Sequence, residues 1–363
     1  MGDMIETQAM DDIAVYELHS GIGGGADMVL GFNACLISVS IFPSNGSSSK
    51  DTQGHEDRPL QDRLIDIIEK ATVCQDDDEY EELVDEVLAV ILDTGRPLFR
   101  QLISSQDEHA QSKSLHHYLF PPFFHFRLDA PNHAGSVSII PINSSETNTI
   151  HTVEPAFDRG SQEDLDICQD LPCYISEQVT VTKMLLHGAR TVTAAVKVQG
   201  RDMLCKSSAR PGGLPSTRKG RELQILHKVR ESFPTGSIRV PQLLGYVHQN
   251  DTKQILGFLR QWVPGRILSD ILASSSTQER QKWTSQILQT VGLLHQHGLI
   301  WGNGKPSNII IDEEDNAWLI DVGGGCTPGW TDEELAETKE GDEQALGRII
   351  ELLSGDEDMS ASP

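Results

Sequence analysis

The spacing of hydrophobic residues divides the chain into a mainly helical part and a β-rich part. In the first part, apolar residues recur at helical intervals from Leu60 to Ile68 and from about Glu79 to Ile91, which predicts two amphipathic helices. The triplet Gly95-Arg96-Pro97 predicts a break in the second helix, with a short helical segment after it. Apolar and β-branched runs predict strands before and after these helices, at Ala14–His19, Met28–Phe42 and Val137–Ile142.

The pattern changes to alternating β-type runs from about Cys173. Three consecutive runs predict antiparallel strands, and a basic loop rich in Gly and Pro then leads into a predicted helix at Arg221–Glu231. Two more strands follow, and helices continue from a Pro264-Gly265 turn to His297. The predicted strands are Glu177–Leu186, Arg190–Gln199, Met203–Ser207, Val240–His248 and Gln254–Trp262. This order of elements predicts a fold of the α+β class.

Composition limits the partners of the protein. Its 54 acidic residues outnumber its 29 basic ones, so the formal net charge is −25. Such a charge repels nucleic acid and anionic membranes, and we expect neither as a partner, although an acidic surface also serves solubility alone. The first residues lack the apolar run of a signal peptide, and no run reaches membrane-spanning length. We therefore expect a location in the cytoplasm or nucleus.

Candidate chemistry concentrates between His297 and Gly323, which read HGLIWGNGKPSNIIIDEEDNAWLIDVG. A helix is predicted to end at Gly298, and a polar loop follows it. Two short β-rich segments, Ile309–Asp312 and Ala317–Ile320, then lead to an acidic residue before glycine. Loops of this kind hold phosphates, a metal ion and a nucleophile in enzymes that transfer phosphoryl groups.

This stretch resembles the catalytic loop of protein kinases. The segment Trp301–Asn308, WGNGKPSN, is similar to the kinase pattern H-R-D-L-K-P-x-N, and Asp321-Val322-Gly323 is similar to D-F-G. Residues from about 173 to 353 resemble the protein-kinase-like superfamily, and they look particularly like fungal kinase-like proteins with the motifs W-G-D-x-K-x-x-N and D-x-G-G. The segments EELVDEVLAVILDTGRPLFRQL and SLHHYLFPPFFHFRL look like the N-terminal extension of those fungal proteins.

The resemblance implies a two-lobed protein-kinase-like fold with a small β-rich lobe and a shortened helical large lobe. A mixed, mainly helical region would precede the two lobes. The implied segments are a β-rich N-terminus (1–43), a disordered insert (44–58), a mainly helical extension (59–172), the small lobe (173–263), the large lobe (264–354) and an acidic disordered tail (355–363).

The resemblance also implies residues that grip the phosphates of ATP. The lysine that binds the α- and β-phosphates is either Lys206 or Lys197, and alternation alone does not choose between them. We favour Lys206, because it follows a complete hairpin and because Glu222 stands on the next helix as its expected partner. Glu222 would otherwise be an ordinary exposed helix carboxylate. Gly188 would occupy the phosphate-covering loop, although it stands alone where kinases carry G-x-G-x-x-G.

At the base end of the implied site, Gln261-Trp262-Val263 would form the hinge that binds adenine. The backbone of Gln261 and Val263 would offer the hydrogen bonds. Either Arg260 or Leu259 would lie at the back of this pocket, and a buried arginine would narrow or block it.

Within the catalytic loop, Lys305 would lie beside the γ-phosphate, while Asn308 and Asp321 would bind Mg²⁺. Asn303 stands where kinases carry the catalytic aspartate. An amide does not act as a base near neutral pH, so this change alone should slow transfer by about 10²–10⁴-fold. We therefore predict a nucleotide-binding pseudokinase or a very weak phosphotransferase whose N-terminal half contacts a protein partner.

Other departures from the kinase pattern agree with weak activity. Gly302 replaces the arginine that reads a phosphorylated activation loop, and no A-P-E motif precedes Asp342, which is similar to the buried aspartate of the following helix. The alternative is an active ATP-dependent kinase that acts on a small molecule or on protein Ser/Thr.

Overall fold

The computed structural model describes residues 11–20, 24–44, 58–104, 114–130, 137–142, 167–209, 214 and 218–355. They fall into two compact units. The first unit draws on 1–112, 120–156 and 188–190, and the second on 113–119, 157–187 and 191–363. The predicted disordered insert and acidic tail lie almost entirely outside the described residues. The predicted domain boundaries stay predictions.

The first unit is built on a five-stranded sheet. Its strands follow the order β1 (Ile13–Ser20), β2 (Ala26–Phe32), β3 (Cys35–Ile41), β4 (Phe123–Asp129) and β5 (Ser138–Pro141). The strands β3 and β4 are parallel, and the other neighbours are antiparallel. The β-rich run Met28–Phe42 holds parts of two strands, because the chain reverses at Asn33, whose φ is 54°.

Two helices of the first unit, α1 (Leu60–Val73) and α2 (Asp77–Ser104), supply apolar residues to the same core as the sheet. The predicted break at Gly95-Arg96-Pro97 is wrong, because α2 continues through Pro97. A proline removes one intrahelical hydrogen bond, and burial of the apolar face outweighs that loss here. Gly95 serves packing instead, since a Cβ there would lie 2.4 Å from Cζ of Phe99.

The second unit contains a six-stranded sheet whose order differs from the order of its strands in sequence. From edge to edge the order is β6 (Cys173–Ile175), β10 (Leu243–His248), β11 (Ile255–Gln261), β9 (Arg201–Ser208), β8 (Thr191–Val198) and β7 (Thr180–Gly188). The strands β7 to β11 confirm the five predicted strands. The strand β9 pairs with β11 along one edge and with β8 along the other, and its last six residues are buried.

Five α-helices of the second unit are described. They are α3 (Leu115–Leu119), α4 (Arg218–Ser232), α5 (Leu268–Ile271), α6 (Thr277–Gln296) and α7 (Lys339–Ser354). Of these, α4, α6 and α7 contribute side chains to the candidate site. Ser276 and Glu279 form a capping box at the start of α6, which explains why this helix begins there. A second sheet has the order β12 (Gly265–Ile267), β13 (Ile309–Asp312) and β14 (Ala317–Leu319).

The described residues therefore form a mixed α+β structure, as predicted. Among them, no helix has both the length and the apolar character required to cross a bilayer.

Candidate functional site

Lys206 connects three separate parts of the second unit. It lies on β9 with its side chain only 11% exposed, and its ammonium donates hydrogen bonds to Glu222 on α4 and to Asp321 after β14. Lys197, the other candidate, has a side chain that is 50% exposed and pairs with Asp202 across the hairpin. The structure thus brings Lys206, and not Lys197, to Glu222.

Arg260 adds a second cation to this group. It is 3% exposed, and its Nε lies 3.5 Å from Oε1 of Glu222. Its Nη1 donates to the backbone carbonyl of Gln261 over 3.3 Å. We call Lys206, Arg260, Glu222 and Asp321 the charge cluster. Two cations and two carboxylates balance each other, which offsets much of the cost of removing four charges from water.

The pKa values within the charge cluster follow from this pairing. Burial alone would raise the pKa of Asp321, but Lys206, Arg260 and Lys305 together hold it below its ordinary value. Burial lowers the pKa of the Arg260 guanidinium, and the carboxylates of Glu222 and Asp321 oppose that shift. Asp321 is therefore an anion at neutral pH.

The backbone at Asp321 is held in an uncommon conformation. Its φ is 59°, in the left-handed region that few residues other than glycine adopt. Strained conformations of this kind persist where the surrounding contacts determine them, as the ion pair with Lys206 does here. Gly323 lies two residues further on, and a Cβ there would lie 2.5 Å from the backbone nitrogen of Glu222. The turn after β14 consequently packs directly against the backbone of α4.

The loop before β13 is anchored by a buried carboxylate on α7. Asp342 is 2% exposed and accepts hydrogen bonds from the backbone N–H groups of Trp301 (2.8 Å) and Gly302 (2.7 Å). His295 on α6 contacts the same carboxylate through Nε2 at 2.8 Å. Three hydrogen bonds to one charged acceptor fix the start of the loop that carries Asn303.

A short hydrogen-bond chain links three side chains within the loop region. Lys305 donates to Oγ1 of Thr327 over 3.1 Å, and that hydroxyl donates to Oδ1 of Asn303 over 3.1 Å. Asn308 donates from Nδ2 to the backbone carbonyl of Asn303, which leaves its amide oxygen as an acceptor. The role of Thr327 could not be predicted from the sequence, because nothing in the pattern around it distinguishes this residue from an ordinary loop threonine.

Asn308 and Asp321 lie close together because the backbone joins the two ends of the hairpin. The N–H of Ile320 donates to the carbonyl of Asn308 over 3.0 Å. An amide oxygen and a carboxylate are hard oxygen ligands, so the two side chains fit Mg²⁺. Among the described residues, no three or more His, Cys, Asp or Glu side chains gather as a metal site, at this place or at any other.

The backbone conformation and close packing at Gly302 leave no room for an arginine side chain. Its φ is 76°, and a Cβ would lie 2.7 Å from Cα of Gly324. The loop 301–308 and the segment after Asp321 therefore touch through two glycines. An arginine at position 302 would require both segments to move apart.

The remaining predicted site residues are placed as follows. Gln261 ends β11 and is half-buried, and its N–H donates to the carbonyl of Gln242. Val263 is buried just beyond it. Gly188 ends β7 and groups with residues of the first unit, so it is not part of the charge cluster.

Comparison with known proteins finds relatives among kinases, although no protein-family profile matches the chain. A probable serine/threonine-protein kinase, the KIN1 homolog of Encephalitozoon cuniculi, is 38% identical over 66 residues, 17% of this chain and 12% of that protein. The KEOPS complex subunit Bud32 of Pyrococcus abyssi is 29% identical over 110 residues, 30% of this chain and 46% of Bud32. The O-antigen chain terminator bifunctional methyltransferase/kinase WbdD of Escherichia coli is 28% identical over 130 residues, 34% of this chain and 18% of WbdD.

The chain thus spans less than half the length of each of these relatives. Two of these relatives are named as kinases, and all three are similar to this chain at modest identity. Together with the mixed α+β structure, these similarities support placing the chain in the protein-kinase-like superfamily.

Proposed function

We propose that residues 173–354 form a two-lobed, kinase-like unit that binds a nucleoside triphosphate and transfers phosphate very weakly or not at all. The observation that carries this proposal is the charge cluster, in which Lys206 contacts Glu222 and Asp321. These side chains come from β9, α4 and the turn after β14, and their meeting is what a phosphate and metal site of this superfamily requires. The kinase resemblance implies ATP and Mg²⁺ as the cofactors.

Each residue of the proposed site has a distinct role. Lys206 holds the α- and β-phosphates, Lys305 approaches the γ-phosphate, and Asn308 and Asp321 hold Mg²⁺. When bound, the metal ion neutralises charge on the transferring phosphoryl group. Lys206 is oriented by Glu222 before any ligand arrives, so little side-chain entropy is lost on binding.

Two further parts of the proposed site contact the nucleotide base and cover the phosphates. Backbone groups of Gln261 and Val263 contact the base, and Gly188 belongs to the loop over the phosphates. These three roles rest on the kinase resemblance.

Asn303 is the reason for the proposed weak activity. Its Oδ1 accepts a hydrogen bond from Thr327, so the side chain is held in the loop in a defined orientation. An oriented amide is able to position a hydroxyl group, but it does not take the proton from it. Loss of a general base slows transfer by about 10²–10⁴-fold, whereas nucleotide binding through Lys206 is retained.

Binding is tested by the thermal shift of the whole chain with Mg²⁺ and a panel of nucleoside triphosphates. A ligand that binds only the native state raises the midpoint of unfolding. We expect a shift for wild type and for Lys197→Met, and none for Lys206→Met. Equal shifts for both variants, or no shift with any nucleotide, would refute the proposed site.

Catalysis is tested by radiolabel transfer from the γ-phosphate. We expect wild type to transfer little and Asn303→Asp to gain about 10²-fold or more. The second candidate function, an active kinase, predicts ordinary transfer by wild type to a small molecule or to protein Ser/Thr. It is favoured by the names of the relatives, one a probable protein kinase and one a bifunctional methyltransferase/kinase.

The proposed partners follow from charge and from the relatives. A net charge of −25 argues against nucleic acid and anionic membranes as partners, and we propose a location in the cytoplasm or nucleus. One relative is named a complex subunit, which favours a protein partner for the N-terminal half. This proposal is tested by chemical crosslinking in cell extract. The partners captured by the whole chain are compared with those captured by a variant that lacks residues 1–172.

A further inference from the structure

The base end of the proposed site is occupied by a buried arginine. Arg260 is 3% exposed, and its Nη1 donates to the carbonyl of Gln261, the backbone acceptor of the proposed hinge. Its Nε is buried and makes no hydrogen bond within the part of the chain that the structure describes. A guanidinium carries five N–H donors and no acceptor. This edge of the site therefore presents donors to a ligand.

We propose that Arg260 makes the site selective for 6-oxopurine nucleotides, such as GTP and ITP, over ATP. The inference rests on the proposed function, because it assumes that a nucleotide binds beside the charge cluster. It adds the chemical class of the base and the residue that reads it.

The selectivity follows from the pattern of donors and acceptors on the two purines. Adenine carries an amino group at position 6, a donor that would face the donors of the Arg260 guanidinium, whose Nη1 lies against the carbonyl of Gln261. Guanine and hypoxanthine carry O6 and N7, which are adjacent acceptors. An arginine fork paired with O6 and N7 is the commonest specific contact to guanine.

The position of Arg260 on the sheet keeps its guanidinium at this edge. It lies on β11 opposite Leu204 and two residues from Phe258, which stands opposite Lys206. Cross-strand neighbours in an antiparallel sheet share a face, so Arg260 and Lys206 project to the same side. Glu222 contacts both cations and fixes the distance between them. A base at Arg260 and phosphates at Lys206 are thus the two ends of one ligand.

The first test needs only the wild-type chain. Titration calorimetry with Mg²⁺ complexes of GTP, ITP and ATP measures three dissociation constants. We expect GTP and ITP to bind alike and ATP to bind roughly 10- to 100-fold more weakly, the discrimination of one good bidentate pair. ITP is included because it has O6 and N7 but lacks the 2-amino group of guanine.

Variants assign the preference to the guanidinium. Arg260→Met keeps much of the length of the side chain and removes its donors. The ratio of the dissociation constant for ATP to that for GTP should therefore fall to the value of a site that does not discriminate between the two bases. Arg260→Lys retains the charge but not the fork, and it should give an intermediate ratio. Arg201→Met, an exposed arginine of the same sheet, is the matched control and should keep the wild-type ratio.

A ratio is used because both nucleotides bind the same variant, so any general weakening cancels. If Arg260→Met fails to fold, the double variant Arg260→Met/Glu222→Gln is used in its place, because it removes one charge of each sign. ATP binding as tight as GTP binding, or ITP behaving like ATP, would overturn the inference and leave the proposed function standing. Binding of none of the three nucleotides would overturn both.

Discussion

The carboxylate of Asp342, which anchors the loop 301–308, gives the sharpest prediction about stability. In wild type, Oδ1 of Asp342 accepts from the N–H of Gly302, and Oδ2 accepts from the N–H of Trp301 and contacts His295. In Asp342→Asn, one of these oxygens becomes an NH₂ group. Whichever way the amide turns, its NH₂ faces a backbone N–H, and two donors meet in a buried place.

The magnitude follows from the bonds that are lost. A hydrogen bond to a charged group contributes roughly 1.5–3 kcal/mol, and a buried donor without a partner costs about 1–3 kcal/mol. One of the two backbone hydrogen bonds is removed, so its N–H is left without a partner. The other backbone hydrogen bond loses its charged acceptor. We expect Asp342→Asn to lower the free energy of unfolding by about 3–5 kcal/mol.

Urea denaturation followed by tryptophan fluorescence is the appropriate assay. All five tryptophans belong to the second unit, so their signal reports its unfolding: Trp262, Trp283, Trp301, Trp318 and Trp330. Glu343→Gln is the matched control on α7, because Glu343 is exposed and pairs with Lys339 one turn away. This variant should cost about 0.5 kcal/mol or less. A loss for Asp342→Asn no larger than that of the control would refute the reasoning.

The remaining predictions concern packing, titration and backbone conformation. Gly95→Ala should lower the free energy of unfolding by about 1–3 kcal/mol through a clash with the ring below it. Gly292→Ala on α6, where space is open, should instead raise it by about 0.5–1 kcal/mol; urea titrations check both signs. Burial raises the pKa of the Cys205 thiol to about 12, so at pH 8 iodoacetamide should label it far more slowly than the exposed Cys173, as peptide mass spectrometry would show. Because the ordinary value is 9.0, the folded state holds this proton more tightly, and its contribution to stability should decline as pH rises above that value. Gly302→Arg should cost about 2–4 kcal/mol, because φ is positive and the next segment is in contact; a variant as stable as wild type in thermal denaturation would contradict this packing.

Local patterns in the sequence were sufficient for much of the fold. The periodicity of α1 and α6 and the five strands β7 to β11 depend on residues within a few positions of each other. The loop and hairpin from Trp301 to Asp321 could also be predicted, because the residues that define them are contiguous. The prediction failed at Pro97, where local steric preference was outweighed by burial of a long helix face against the sheet.

The composition of the charge cluster was decided by the tertiary structure. Lys197 and Lys206 both follow β-type alternation and both lie on interior strands of the sheet. What separates them is that Lys206 meets the buried carboxylate of Glu222 on α4, whereas Lys197 pairs with the exposed Asp202 of the hairpin. The inward direction of Arg260 and the contact of Thr327 with Asn303 are equally invisible in the sequence. Lys206 and Asp321 are 115 residues apart. Their meeting depends on strand order and on the packing of α4, and those are properties of the whole folded unit rather than of any one segment.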